Sequence, residues 1–196
     1  MAGDESDVVR LGPSEFLAKC ALYPRYLRDG IFASEALLDL GKDGRGSKPP
    51  FVISCASRTL LPQVQQVHEF GCRRATKANE RKAERLGRNL ERPGETCHYR
   101  GFYDLLVGQV TGIPSNAYKI EVVLLPEDGE EAHCNIVLRP EEATKTQLRT
   151  ERTDILIQIS ARLRGPTLHI SPSDLDLVYF LSPLALPVFS DEPGPL

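Results

Sequence analysis

The chain has 196 residues, of which 41% are hydrophobic and 26% are charged. This length and apolar content suffice for one domain with a real core, and they exclude collagenous, coiled-coil and wholly disordered chains. The 24 Lys and Arg residues against 27 Asp and Glu residues give a net charge of −3, so the chain as a whole is not basic. We predict a single domain over 1–196, with a flexible N-terminus at 1–10, a mobile loop at 41–50 and a frayed tail at 190–196.

Three features predict a cytoplasmic protein. The first residues, Met1–Asp7, are acidic and polar, unlike the basic and then apolar start of a secretory signal. The longest apolar stretch, Leu177–Phe189, contains two prolines and is shorter than the roughly 20 residues that cross a bilayer. The five cysteines are an odd number at wide spacing, which is typical of reduced thiols rather than of a disulfide framework.

The first part of the chain, to about residue 112, is predicted to form helices and loops. Apolar residues of Phe16–Ala21 follow Gly12-Pro13 at helical spacing, with proline in its favoured first-turn position. Leu60–Phe70 likewise places Val64, Val67 and Phe70 on one helical face. Phe51–Ile53 is expected to form a short strand.

Beyond residue 118, alternating β-branched runs replace the helical period. Tyr118–Leu125 and His133–Arg139 flank Asp128-Gly129, which indicates a hairpin. Further strands are predicted at three runs: Thr153–Ser160, Thr167–Ser171 and Leu175–Leu181. The expected fold class is α+β, with a helical N-terminal half packed on one face of a mostly antiparallel sheet of about five strands in the C-terminal half.

A basic segment, Cys72–Arg92, carries eight Lys or Arg residues against three Glu residues. On one continuous helix, six of the cations would fall within an arc of about 80°: Arg74, Lys77, Arg81, Arg85, Arg88 and Arg92. Such a row of cations fits the nucleic-acid backbone or an acidic protein partner. The three glutamates also suit intrahelical ion pairs on an ordinary solvated face, and no aromatic side chain stands between the arginines to stack on bases.

Histidines on predicted strands suggest an alternative, catalytic hypothesis. His133 and His169 alternate with apolar residues, and His169-Ile170-Ser171 is half of the paired His-x-Ser motif of some phosphoesterases. With Arg100 as a phosphate-holding companion, the two histidines could act as acid and base in a small phosphodiester-cleaving or toxin-like enzyme. A strand histidine that is simply half-exposed explains the same pattern.

Soft metal ligands are also present but lack the spacing of a zinc module. His68 and Cys72 are four residues apart, and Cys97, His98, His133 and Cys134 are the other nearby ligands. The compact Cys-x₂₋₄-Cys spacing is missing, so we expect no metal and no cofactor, with Cys20 and Cys134 as small core residues.

Short segments of the chain resemble small bacterial proteins that accompany mobile-element or defence genes. The segments are Tyr23-Pro24 with Asp29-Gly30, Ala33–Ala36, Val52–Ser54 and Glu131–His133. The resemblance implies a bacterial cytosolic setting and assigns no residue a role. The sequence as a whole favours a non-catalytic binding or regulatory subunit of a larger bacterial complex, which uses the basic segment and does not act at a membrane.

Overall fold

A computed structural model describes residues 9–23, 27–28, 31–32, 51–92, 95–127 and 129–169. Its centre is a six-stranded antiparallel sheet with the strand order β6-β7-β4-β1-β5-β8, and a second sheet pairs β2 with β3. The strands are β1 (Phe16–Tyr23), β2 (Leu27–Arg28), β3 (Ile31–Phe32), β4 (Phe51–Ser57), β5 (His98–Leu106), β6 (Tyr118–Leu124), β7 (His133–Pro140) and β8 (Arg164–Leu168).

The described residues form three helices: α1 (Val64–Leu86), α2 (Val107–Thr111) and α3 (Lys145–Ala161). Helix α1 ends at Leu86 and is capped by Gly87, whose φ of 62° is a left-handed conformation that glycine adopts without strain. Helix α3 begins at Thr144, whose hydroxyl accepts a hydrogen bond from the Gln147 backbone N–H. Local caps therefore fix where these helices start and stop.

Helices cover both faces of the large sheet, whereas the sequence predicted helices on one face only. On the first face, Ile155, Leu156 and Ile159 of α3 pack into a cluster with Leu17 and residues of β4, β6 and β7. On the second face, Val67 and Phe70 of α1 pack into a cluster with Ala18, Cys20 and Phe102. Burial of this apolar surface is the main stabilising contribution to the fold.

The α+β class and the antiparallel sheet are confirmed, but the helical N-terminal half is wrong. Phe16–Tyr23, where a helix was predicted, is the central strand β1. Its successive residues Leu17 and Ala18 are both fully buried, one in each core cluster. A strand buried on both faces lacks polar alternation, so its apolar run resembles a buried helical segment. Strand β5 also lies in the part of the chain that was predicted to form helices and loops, and it was not predicted.

The reverse error occurs at Thr153–Ser160, which lies in α3 rather than in a strand. Ile155, Ile157 and Ile159 alternate as they would in a strand, but Leu156 is buried and Ile157 is 51% exposed. Ile155 and Ile159 are four residues apart and therefore share the helical face that meets the core.

Several predictions for single elements are confirmed. The β6–β7 hairpin pairs Tyr118 with Pro140 through Leu124 with Cys134. The strand at Phe51–Ile53 is the start of β4, and the helix predicted from Leu60 begins at Val64. Strand β8 overlaps the predicted Thr167–Ser171 run.

Some predictions fall outside the described residues, namely the loop at 41–50, the strand at Leu175–Leu181 and the tail at 190–196. No helix in the described part of the chain combines the length and the apolar character needed to span a membrane.

Candidate functional site

The six cations predicted to lie on one helix do not share one. Helix α1 ends at Leu86, and Gly87 caps it, so Arg88 and Arg92 lie beyond the helix. Arg74, Lys77, Arg81 and Arg85 remain on α1. The prediction of a continuous row is therefore corrected by the left-handed glycine, which stops the helix in the middle of the basic segment.

Arg74 and Lys77, the first two cations of the predicted row, both pair with Glu130, whose side chain is completely buried. Arg74 Nη1 lies 2.8 Å from Glu130 Oε2, and Lys77 Nζ lies 3.1 Å from Glu130 Oε1. Burial opposes ionisation of this carboxyl group, but hydrogen bonds from Arg74 and Lys77 outweigh burial and lower its pKa. These two cations therefore attach α1 to the β6–β7 turn.

Arg88 is also paired. Its guanidinium donates two hydrogen bonds to Glu95, with Nη1 3.0 Å from Oε2 and Nη2 2.5 Å from Oε1. The hydrogen bond from Arg88 is the largest cause that lowers the pKa of Glu95 to about 2. This bidentate contact occupies Arg88 and leaves it little free charge for a partner.

Arg81 and Arg85 are exposed, and neither forms an ion pair with any residue that the structure describes. At 100° per residue they lie within about 40° of each other and continue the helical face of Arg74. No residue of α1 after Ala75 is buried, although the whole helix is described. Leu86, which follows Arg85 and points about 100° away from it around the helix, is 44% exposed. We call Arg81, Arg85 and Leu86 the α1 tip.

The α1 tip is held in a fixed position by the segment that precedes β5. The Asn79 side chain donates to the Cys97 backbone carbonyl at 3.0 Å and accepts from the Cys97 backbone N–H at 2.7 Å. This two-way amide contact anchors the second half of α1 without burying its arginines. The arginines of the α1 tip therefore stand on a supported helix rather than on a free end.

A second group of polar side chains surrounds His133, one of the histidines predicted as catalytic. His133 Nε2 lies 2.9 Å from Ser54 Oγ, and His133 Nδ1 lies 3.0 Å from the Leu125 carbonyl oxygen and 3.3 Å from Glu127 Oε1. Arg74 Nη2 donates to Ser54 Oγ at 3.1 Å. We call Ser54, Arg74, Glu127 and His133 the His133 network.

The charge state of His133 follows from its surroundings. Burial is the largest cause that lowers its pKa, Arg74 lowers it further, and Glu127 opposes both. His133 is therefore a neutral imidazole near pH 7, with one nitrogen able to donate and the other able to accept.

His169, the second histidine predicted as catalytic, lies elsewhere. It follows β8, and its ring centroid is 4.8 Å from that of His68 and 5.3 Å from that of Tyr99. Four strand steps of about 4.8 Å separate β7 from β8, so roughly 19 Å across the sheet separates His133 from His169, and an offset along the strands adds to that distance. Arg100 adjoins His169, because its carbonyl oxygen accepts from the His169 backbone N–H. The structure does not bring the two histidines together.

The soft ligands named from the sequence are also dispersed. Cys72 Sγ lies 3.8 Å from His169 Nε2, and His68 Nδ1 is 3.0 Å from the Tyr99 hydroxyl. Cys134 is buried in the core cluster on the α3 side of the sheet. Over the described ranges, no group of three or more His, Cys, Asp or Glu side chains is placed to hold a metal ion.

Sequence reasoning missed three members of these contacts: Ser54, Glu127 and Glu130. Ser54 is 79 residues from His133 and 20 from Arg74, so no local spacing connects them. Glu127 and Glu130 were interpreted only as residues of a hairpin turn. The one available signal was charge. The predicted turn is rich in acidic residues, and the basic segment Cys72–Arg92 is rich in arginine.

No protein-family model matches the chain, and comparisons with curated proteins and with solved structures give no significant match.

Proposed function

We propose that the chain is a binding or regulatory subunit that docks an acidic partner protein through the α1 tip. The observation that carries this proposal is the pair Arg81 and Arg85, two exposed guanidinium groups on one helical face with no ion-pair partner among the described residues. Binding of this kind needs no bond-making step. The bacterial complex suggested by the sequence remains part of the proposal.

An acidic protein surface suits the α1 tip better than a nucleic-acid backbone does. Six phosphate contacts predict a loss of about a thousandfold in affinity between 50 and 200 mM salt, whereas two contacts predict only about tenfold. Exposed arginines are enriched at protein interfaces, where they pair with carboxylates of the partner.

The test reverses the charges of the α1 tip in the variant Arg81→Glu/Arg85→Glu. Binding to an immobilised polyglutamate peptide should weaken by about tenfold or more, because two attractive contacts become repulsive. The matched control is Lys145→Glu/Arg149→Glu, which changes the net charge equally at two exposed cations of α3. The control should bind nearly as well as the unchanged chain.

Two outcomes would refute the proposal. Equal losses in both variants would show that only net charge matters. Tighter binding to a short DNA duplex than to polyglutamate, again lost on reversal of Arg81 and Arg85, would assign the α1 tip to nucleic acid instead.

The alternative from the sequence, a phosphodiester-cleaving enzyme with His133 and His169 as acid and base, requires both imidazoles at one scissile bond. Their separation of roughly 19 Å or more, four strand steps across the sheet, is too large for that. The contacts of His133 with Ser54 and Glu127 suit a different chemistry.

A further inference from the structure

We propose that Ser54, His133 and Glu127 form a hydrolytic site for carboxylic esters with a small acyl group. Ser54 is the nucleophile, His133 the general base, and Glu127 a positioning residue that acts through the imidazole. Ser54 Oγ is 2.9 Å from His133 Nε2, and Glu127 Oε1 is 3.3 Å from His133 Nδ1. This is the order of contacts that defines serine hydrolases on unrelated folds. The site is independent of docking at the α1 tip.

The proton positions follow from which groups donate and which accept. A guanidinium only donates, so Arg74 Nη2 makes Ser54 Oγ an acceptor and turns the Ser54 O–H toward His133 Nε2. His133 Nε2 must then carry the lone pair, and the proton sits on Nδ1, facing the Leu125 carbonyl oxygen and Glu127. That tautomer is the one a general base needs in order to take a proton from serine.

Groups that could stabilise an oxyanion lie next to Ser54. Arg74 Nη2 is already 3.1 Å from Ser54 Oγ. Asn135 on β7 is directly opposite Ser54 on β4, so the two side chains share a sheet face. Asn135 is half-buried, and within the described residues its side-chain amide forms no hydrogen bond. A developing negative charge at an attacked carbonyl would therefore form beside two side chains that can donate hydrogen bonds, those of Arg74 and Asn135.

The exposure of these residues limits the class of substrate. Ser54 is half-buried, His133 is buried, and the side chains of Arg74 and Glu127 are 20% and 41% exposed. Approach is therefore past the Arg74 and Glu127 side chains, onto a serine that lies in the middle of a strand. A small acyl group such as acetyl suits such a position.

The proposed reaction proceeds in two steps. Ser54 Oγ attacks the carbonyl carbon while its proton passes to His133 Nε2, and collapse of the tetrahedral intermediate breaks the ester C–O bond. The leaving alkoxide takes the proton from His133, which leaves an acyl group on Ser54. Water then attacks the acyl carbon and gives one proton to His133. His133 passes that proton to Ser54 Oγ as the bond between Oγ and the acyl carbon breaks, which releases the carboxylic acid and restores the Ser54 hydroxyl. Water is the only co-reactant.

The first test uses a fluorophosphonate probe, which phosphonylates activated serines, together with p-nitrophenyl acetate hydrolysis. The full chain should be labelled at Ser54, as peptide mass spectrometry would show, and Ser54→Ala should lose the label and at least about 100-fold in hydrolysis rate. The control is Ser160→Ala, which removes a half-buried serine of α3. It should keep both activities.

The result that would overturn the proposal comes from the unchanged chain and does not depend on how well any variant folds. If the probe leaves Ser54 unmodified, and hydrolysis does not exceed that given by Ser54→Ala, then the His133 network only holds α1 to the sheet.

The second test separates positioning from structure by means of pH. Glu127 raises the pKa of His133 against burial and Arg74. Glu127→Gln should therefore lower that pKa further and move the acid limb of the pH–rate profile to lower pH, in addition to reducing the rate. Glu131→Gln, which changes an exposed glutamate nearby, should leave the limb in place. An unmoved acid limb in Glu127→Gln would remove Glu127 from the mechanism.

Discussion

Replacing Glu130 with glutamine tests the idea that this buried carboxylate pairs with Arg74 and Lys77 and attaches α1 to the β6–β7 turn. Glutamine keeps the size of the side chain and one acceptor oxygen but removes the negative charge. A hydrogen bond to a charged acceptor contributes about 1.5–3 kcal/mol and a neutral one about 0.5–1.5 kcal/mol, so each of the two bonds loses about 1 kcal/mol. Arg74 and Lys77 are partly exposed, which keeps the total near the low end.

We therefore expect Glu130→Gln to lower the free energy of unfolding by about 2 kcal/mol at pH 7, which corresponds to roughly 4–8 °C in Tm for a chain of this size. Urea denaturation followed by circular dichroism measures the difference. The control is Glu131→Gln, the same substitution at the exposed neighbouring residue, which should stay within about 0.5 kcal/mol of the unchanged chain.

The pH dependence of this difference has a definite sign. Folding lowers the pKa of Glu130 from its usual value of 4.5, so the stabilisation is fully present above pH 4.5 and is lost as the pH falls through the lower, folded pKa. The unchanged chain and Glu130→Gln should converge in stability in acid. Equal stability of Glu130→Gln and Glu131→Gln at pH 7, or a difference that persists unchanged in acid, would refute the assigned role.

Two further predictions concern packing and thiol exposure. Gly71→Ala should destabilise the fold by about 3 kcal/mol or more, because the added Cβ would lie 2.2 Å from the ring of the buried Tyr99. The control is Gly12→Ala, whose added Cβ meets nothing closer than 3.8 Å and should be tolerated. Thermal melts of the two variants would decide this. At pH 8 a thiol-specific reagent should modify the exposed Cys72 before the buried Cys20 and Cys55. Burial raises the pKa of Cys55 to about 11 and that of Cys20 to about 12, so both remain protonated thiols. Rapid modification of either buried thiol before unfolding would contradict the packing of the sheet.

Sequence reasoning succeeded where the local pattern matches its environment. The β6–β7 hairpin was predicted because Asp128-Gly129 separates two β-branched runs, and turn chemistry acts over only a few residues. It failed at β1, where burial on both faces removes alternation, and at α3, where alternating isoleucines imitate a strand. Both errors arise because periodicity records which side of an element is buried, and that depends on what packs against it.

The candidate sites also combine residues that the sequence identified with contacts that only the fold creates between distant parts of the chain. His133 and Arg74 were both selected from the sequence, but for two different functions. The structure joins them through Ser54, which is 79 residues from His133 along the chain, because β4 lies beside β7 in the sheet. Strand order is a property of the whole fold, so no spacing between these residues predicts their contact.

By itself, the sequence determined the α+β class, the hairpin and the concentration of arginine between Cys72 and Arg92, since these depend on local composition and turn chemistry. Only the tertiary structure decided which cations remain free for a partner. Because Glu130 is buried at the β6–β7 turn and Gly87 caps the helix, Arg74 and Lys77 are paired with Glu130, Arg88 lies past the helix end, and Arg81 and Arg85 stay exposed.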